Sequence, residues 1–171
     1  AMLLTAKPIL YICNVSEEQL SDAENDENVK KVKEYVKNEN SIAIPLCAKI
    51  EEELTSLEEA DKKEMLEALG LKESGLDRVI RESYSVLGLM SFLTAGEPEV
   101  RAWTIKKGTK APVAAGKIHS DIQRGFIKAE IVSYDDLIKE GSMNAAREKG
   151  LIRSEGKEYI MQEGDIVLFK F

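Results

Sequence analysis

Two short apolar runs frame the first part of the chain. Pro8–Cys13 (PILYIC) and Ser41–Cys47 (SIAIPLC) are continuous and rich in β-formers, which predicts strands buried on both faces, as in a parallel sheet. Between them, over Asn25–Asn40, Val29, Val32 and Val36 recur at helical spacing. Lys30, Lys31, Lys33 and Lys37 face outward, and Asp26 and Glu27 in the first turn favour the helix dipole. Strand, helix and strand within about 40 residues make a right-handed βαβ unit. Glu51–Leu69 predicts one charged helix carrying Leu54, Leu57, Met65, Leu66 and Leu69, closed by Gly70. Ser74–Val86 predicts another, with Leu76, Val79, Ile80 and Tyr84 on one side.

The second part alternates instead. Met90–Leu93 and Val100–Ile105 (VRAWTI) predict two strands with a turn at Glu97–Pro98. Ala111–Gln123 predicts a helix with Val113, Ala114, Ile118 and Ile122 inward, ended by Gly125. Phe126–Ser133 alternates as a half-buried strand. Tyr134–Glu140 and Met143–Gly150 predict short helices, and Glu158–Met161 and Asp165–Phe171 two final strands. A strand pair, a crossing helix and further strands is the ubiquitin-like order. The expected class is therefore α+β overall: a partial α/β domain over residues 1–86, then a β-grasp domain over residues 87–171, joined by a helix near Ser83–Leu89.

Composition narrows the chemistry. The chain has 171 residues, 43% of them hydrophobic and 32% charged, enough for a packed core without staples. No apolar run can span a bilayer, and no secretory signal pattern is visible. Two cysteines without a CxxC and a single histidine argue against a disulfide framework, a metal site or a His-dependent triad, and a cytoplasmic setting is expected. The net charge of −7 argues against indiscriminate DNA or RNA binding. Residues 1–86 carry 19 acids and 11 bases, residues 87–171 carry 12 and 13, so any basic patch belongs to the second half.

Ligands of open α/β sheets bind beyond the carboxyl ends of the strands. Those ends carry Asn14-Val15-Ser16-Glu17 and Cys47-Ala48-Lys49. The pair resembles the two base-recognition motifs of P-loop GTPases, NKxD and SAK, with Val15 in place of the Lys and Glu17 in place of the Asp. The NxxE variant, the phrase SFLTAGEPEVRAWTIKKGTKAPVAAGKIHSDIQRGFIKAEIV and the ending EYIMQEGDIVLFKF resemble the Obg-like ATPases of the YchF or EngD type, over about Lys7 to Phe171. The second half is similar to their TGS module, which also occurs in threonyl-tRNA synthetases and SpoT-type enzymes.

The resemblance implies a purine nucleotide, ATP preferred over GTP, bound at its base by Asn14, Val15, Glu17, Cys47, Ala48 and Lys49. Physically, the extra methylene of Glu17 withdraws its carboxylate from guanine's N1 and N2 donors. That removes a discriminating contribution of ~1.5–3 kcal/mol. The Asn14 amide can present either atom to adenine, Val15 offers apolar contact, and Lys49 can cover the ring. A blander reading makes Asn14 an N-cap and Glu17 its capping-box partner.

No GxxxxGK[ST] stretch, Walker-B acid or switch DxxG is present, so no phosphate cradle and no Mg²⁺ site are expected here; both belong to the part of the family's length that precedes NVSE. The chain looks like the C-terminal part of such an ATPase, with Ala1-Met2 a cloning remnant, and is expected not to hydrolyse ATP or GTP alone. No catalytic residue is expected. His119 and Asp121, placed in one helix, would point about 200° apart, which leaves His119 a surface histidine.

Lys106, Lys107, Lys110, Lys117, Arg124 and Lys128 cluster in sequence around the helix that crosses the β-grasp sheet. They read as a solvated face, or as a patch for RNA phosphates; the resemblance implies ribosome association. Trp103 is expected to pack on the sheet. Two alternatives stay open. One is a pure RNA- or protein-binding module without nucleotide. The other is a redox role for Cys13 and Cys47, against which buried, inert thiols are the commoner case.

Overall fold

The computed structural model describes residues 3, 7–39, 41–96 and 99–171. The chain divides into two compact units, Ala1–Leu87 and Gly88–Phe171. The turn expected at Glu97–Pro98 lies outside the described residues.

In the first unit, β1 (Leu10–Asn14) and β2 (Ile42–Leu46) pair in parallel, Asn14 opposite Leu46. The connection runs through α1 (Glu17–Leu20), a 3-10 turn (Ala23–Asn25) and α2 (Glu27–Lys37). Asp26 caps α2, its carboxylate accepting the Asn28 and Val29 amides, so this helix starts later than the valine spacing alone implies. Val29 and Val36 are buried against β2, whose Ala43, Ile44 and Pro45 are all buried. The expectation of burial on both faces fails for β1. Ile12 is 46% exposed, because β1 has no neighbour beyond β2 among the described residues.

The expected helix over Glu51–Leu69 is two helices, α3 (Ala48–Thr55) and α4 (Glu59–Ala68). The Thr55 and Ser56 hydroxyls donate back to the Glu52 and Glu53 carbonyls at 2.7 Å, competing with the backbone ladder and ending α3. The turn folds α4 back, so Met65, Leu66 and Leu69 meet Cys47, Ile50 and Leu54 in one cluster. Leu57, expected on the apolar side, is exposed in the turn. Gly70 follows α4 at φ +70°, as a C′ residue should.

Helix α5 (Gly75–Val86) packs on β2, but its expected apolar side is not enclosed: Leu76 and Ile80 are exposed. Ser74 caps it, and the Glu51 carboxylate accepts its first two amides, Gly75 at 2.7 Å and Leu76 at 2.9 Å.

The second unit is a five-stranded sheet in the order β4-β3-β7-β5-β6. Its strands are β3 (Leu89–Ala95), β4 (Val100–Lys106), β5 (Lys128–Ser133), β6 (Arg153–Glu155) and β7 (Asp165–Lys170). β3 and β7 are parallel and the other neighbours antiparallel, the β-grasp arrangement. One face carries Met90, Phe92, Ile105, Ala129, Ile131 and Phe169, closed by Ala111, Ala114 and Ala115 of α6 (Ala111–Ile118). Phe92 is fully buried and meets Phe169 edge-to-face at 5.9 Å. Trp103 packs on this core as expected, with Arg101 stacked on it and its indole N–H donated to Thr94. The other face buries Ile166 and Val132 under Ala146. That alanine belongs to α9 (Met143–Glu148), which follows α8 (Tyr134–Glu140).

Three expectations are corrected here. The helix over Ala111–Gln123 breaks at His119, whose backbone is extended (φ −159°, ψ 144°). The His119 ring Nδ1 accepts the Asp121 amide and so caps α7 (Ser120–Arg124). The break brings Nδ1 within 3.4 Å of the Asp121 carboxylate, so these two side chains are neighbours rather than opposed, and Val113, expected inward, is exposed. Glu158–Met161 is not a strand but a single bridge between Ile160 and Lys110; the fourth strand is the polar segment Arg153–Glu155. Gly125 caps α7 at φ −85°, without the left-handed conformation a C′ glycine supplies.

Candidate functional site

Parallel pairing puts the carboxyl ends of β1 and β2 side by side, and the two motifs leave from there. Val15 donates its amide to the Leu46 carbonyl at 2.9 Å, which prolongs the pairing into the motifs. Just beyond, the Asn14 side-chain oxygen accepts the Ala48 amide at 3.0 Å. An amide N–H can only donate, so this bond fixes the Asn14 flip: oxygen toward Ala48, NH₂ outward. Asn14 therefore does not present either atom at will, as its chemistry alone allows; it is left as a donor. The Ala48 amide, expected to face the base, is donated to Asn14.

Glu17 and Lys49 face each other across the same edge, Nζ to Oε1 at 2.5 Å, both well exposed. Hydrogen bonding and charge from Glu17 hold the Lys49 ammonium above its ordinary range. Val15 is half-buried against Leu20 and the Cys47 cluster. Cys47 is buried and precedes α3, its side chain making no cap bond. All six residues thus sit at one edge of one parallel pair. Beside them a recess of about 300 Å³ is lined by Cys13, Asn14, Val15, Gln19, Asp26 and Asn28, among others.

The blander capping reading goes to other residues. Ser16 is the N-cap, its hydroxyl accepting the Gln19 amide, and the Gln19 side chain accepts the Ser16 amide. Asn14 and Glu17 are thereby free of the capping role. The Ser16-x-x-Gln19 spacing carried that signal. Sequence reasoning also missed Glu51 and Gly75. A Cβ on Gly75 would lie 2.6 Å from the Leu46 Cβ, so the tip of β2 rests directly on this glycine.

Among the described residues no group of His, Cys, Asp and Glu side chains could hold a metal ion. No described helix is long and apolar enough to cross a membrane. Cys13 and Cys47 are both free thiols, and burial pushes the Cys13 thiol up, against the lowering effect of Lys33.

The six basic residues singled out in the second unit are spread from the end of β4 to the start of β5. Lys106, Lys107 and Lys110 lie where β4 passes into α6, Lys117 lies in the last turn of α6, and Arg124 and Lys128 follow at the end of α7 and the start of β5. Three are paired: Lys110 with Glu158 at 2.5 Å, Lys128 with Glu130 at 3.3 Å, and Arg124 with Asp121.

Comparison with known proteins agrees with the resemblance drawn from the motifs. Residues 89–171 match the family model YchF-GTPase_C, described as a protein of unknown function (DUF933). Over 99% of its length the chain is 56% identical to the ribosome-binding ATPase YchF of Bacillus subtilis, covering 46% of that protein. It is 44% identical to Obg-like ATPase 1 of Rattus norvegicus, covering 43% of it. The structure of the Schizosaccharomyces pombe YchF GTPase superposes on 98% of the chain with a TM-score of 0.82 at 39% identity, covering 44% of that chain. The chain spans about half the length of the curated relatives it matches. It corresponds to the C-terminal region of the YchF, or Obg-like, ATPases.

Proposed function

We propose that the chain supplies the base-recognition edge of a purine-nucleotide site and a β-grasp module for ribosome association, within a longer, cytoplasmic, ATP-preferring NTPase. The observation that carries the nucleotide reading is the Asn14–Ala48 hydrogen bond, which ties the two motifs together at the carboxyl ends of adjacent parallel strands. With its oxygen held, Asn14 offers its NH₂ to a ring acceptor such as N7, an atom adenine and guanine share. It anchors a purine without choosing between them. The choice falls to residue 17. An acidic side chain free at this edge would accept from guanine's N1 and N2 donors. Glu17 is spent on Lys49, so guanine gains nothing over adenine. Val15 and the aliphatic stem of Lys49 add apolar contact to the ring.

The phosphate cradle and Mg²⁺ lie outside these residues, so the chain alone is inactive as an ATPase. The module reading rests on the name of the relatives as ribosome-binding ATPases and on the basic excess of residues 87–171.

The test replaces the corresponding region of the Bacillus subtilis relative by this chain and titrates the hybrid with ATP and GTP. Glu17→Asp, too short for the Lys49 pair, raises GTP affinity relative to ATP, and Asn14→Ala weakens both nucleotides alike. An unchanged ATP-to-GTP ratio in Glu17→Asp removes the specificity argument. Nucleotide binding indifferent to Asn14→Ala removes the base site and leaves a pure binding module.

A further inference from the structure

On the outer face of the second unit, β5, β6, β7 and the end of α9 enclose an open recess of about 480 Å³. It is lined by Glu130, Arg147, Ile152, Arg153, Ser154 and Lys170. Its charges are not balanced from within. Lys128 and Lys170 stand directly opposite each other on neighbouring antiparallel strands. Like charges in that position destabilise a sheet. Lys128 leans on Glu130, the one acid of the recess. The Arg153 guanidinium is turned away, over the Tyr159 ring and beside Asp165 and Glu155. Lys170, and Arg147 in the last turn of α9, have no ion-pair partner among the described residues. Ser154, opposite Glu130, adds an exposed hydroxyl between them.

A chain of net charge −7 that keeps a repelling lysine pair and an unpaired arginine around one opening gains from an anion there. The recess is wide and shallow, with no buried donor to select a single small ion. Spaced cations around an open floor fit successive phosphates of a polymer.

We propose that this recess, rather than Lys106, Lys107 and Lys110 at the start of α6, is where the β-grasp unit grips the RNA backbone. The inference rests on the ribosome-association reading and specifies its surface. Arg147, Lys170 and Lys128 contact phosphates, and Ser154 donates to a phosphate or ribose oxygen.

The experiment measures binding of the chain to purified Bacillus subtilis ribosomes and to an RNA hairpin across a salt series. The variants are Arg147→Glu with Lys170→Glu, the milder Arg147→Gln with Lys170→Gln, and, for comparison, Lys106→Glu with Lys107→Glu. The recess variants lose about tenfold or more in affinity, and each phosphate contact removed flattens the salt slope by roughly 0.7–0.9. The Lys106/Lys107 variant stays within about twofold of the parent. The melting temperature of the glutamine variant is unchanged or raised, since a repulsion is relieved. If the unaltered chain binds neither ribosomes nor hairpin, the association reading itself fails. If it binds and the recess variants match it in affinity and slope, this inference alone is overturned, and a loss confined to Lys106/Lys107 moves the contact to α6.

Discussion

Replacing Gly75 by alanine tests whether the tip of β2 is held in place by the start of α5. The added Cβ would sit 2.6 Å from the Leu46 Cβ and 2.8 Å from the Glu51 Oε1. The first neighbour is anchored in a paired strand and cannot swing aside. Overpacking of this kind costs about 1–3 kcal/mol. The second neighbour can move only by giving up its bonds to the Gly75 and Leu76 amides, a loss of roughly 1.5–3 kcal/mol where an ionised acceptor is involved. Alanine recovers about 0.5–1 kcal/mol through its stiffer backbone in the unfolded chain. The net is a destabilisation of about 1.5–5.5 kcal/mol, or roughly 6–40 °C in the melting of a unit this size. Calorimetry of the whole chain reads it, with the transition of the second unit as internal control. Because Leu46 lies opposite Asn14 and accepts the Val15 amide, the same change loosens the nucleotide edge. Melting within 2 °C of the parent, or above it, refutes this account of how β2 and α5 meet.

In the second unit, Asp165 is buried and accepts from the Tyr159 hydroxyl and the Gln162 amide at 2.9 and 2.8 Å, with Arg153 beside it. Asp165→Ala lowers stability by about 2–3 kcal/mol, and Arg153→Ala, whose side chain is half exposed, by clearly less; the reverse order in urea melts contradicts the assignment. Hydrogen bonds from Tyr11 and Tyr35 hold the Glu39 carboxyl below the usual carboxylate range. A lowered carboxylate stabilises above its unfolded value near 4.3 and loses that contribution as pH falls through the folded value. The melting difference between parent and Glu39→Gln is therefore present at about pH 7 and shrinks as the pH falls below about 4.3, and a difference that does not change with pH rules the bonds out. Iodoacetamide modifies Cys13 more slowly than the unfolded chain at neutral pH, with its midpoint above the ordinary thiol value of about 8.5; rapid reaction would revive a redox role.

Elements whose ends are marked by side chains were readable from the residues. Tyr134–Glu140 is such a helix, with the Ser133 hydroxyl accepting the Asp136 amide and Gly141 at φ +75° closing it. Breaks inside a continuing apolar rhythm were not. Leu54, Met65, Leu66 and Leu69 keep step as though on one helix, yet the turn at 56–58 brings them together from two. At His119 the rhythm of Ala114, Ile118 and Ile122 also persists across a break made by a ring nitrogen taking an amide. β6 escaped because Arg-Ser-Glu has no apolar residue to alternate; its position comes from pairing with β5, a tertiary effect. At the candidate site the residue types and strand ends were legible. The Asn14–Ala48 and Glu17–Lys49 partnerships were not, since sequence separation says nothing of which polar atoms find each other.

The middle position in the second sheet belongs to β7, which follows the sheet's other described strands in sequence and is flanked by β3 and β5. During synthesis, then, the halves on either side of it emerge without the piece that joins them. β3 and β4 can close as a hairpin early, but the Phe92–Phe169 contact waits for residue 169. Until then Phe92, Ile131 and Val132 have only part of their shelter. A chain cut before residue 165 would leave two sheet fragments with exposed inner edges, a nascent product suited to chaperones or to degradation.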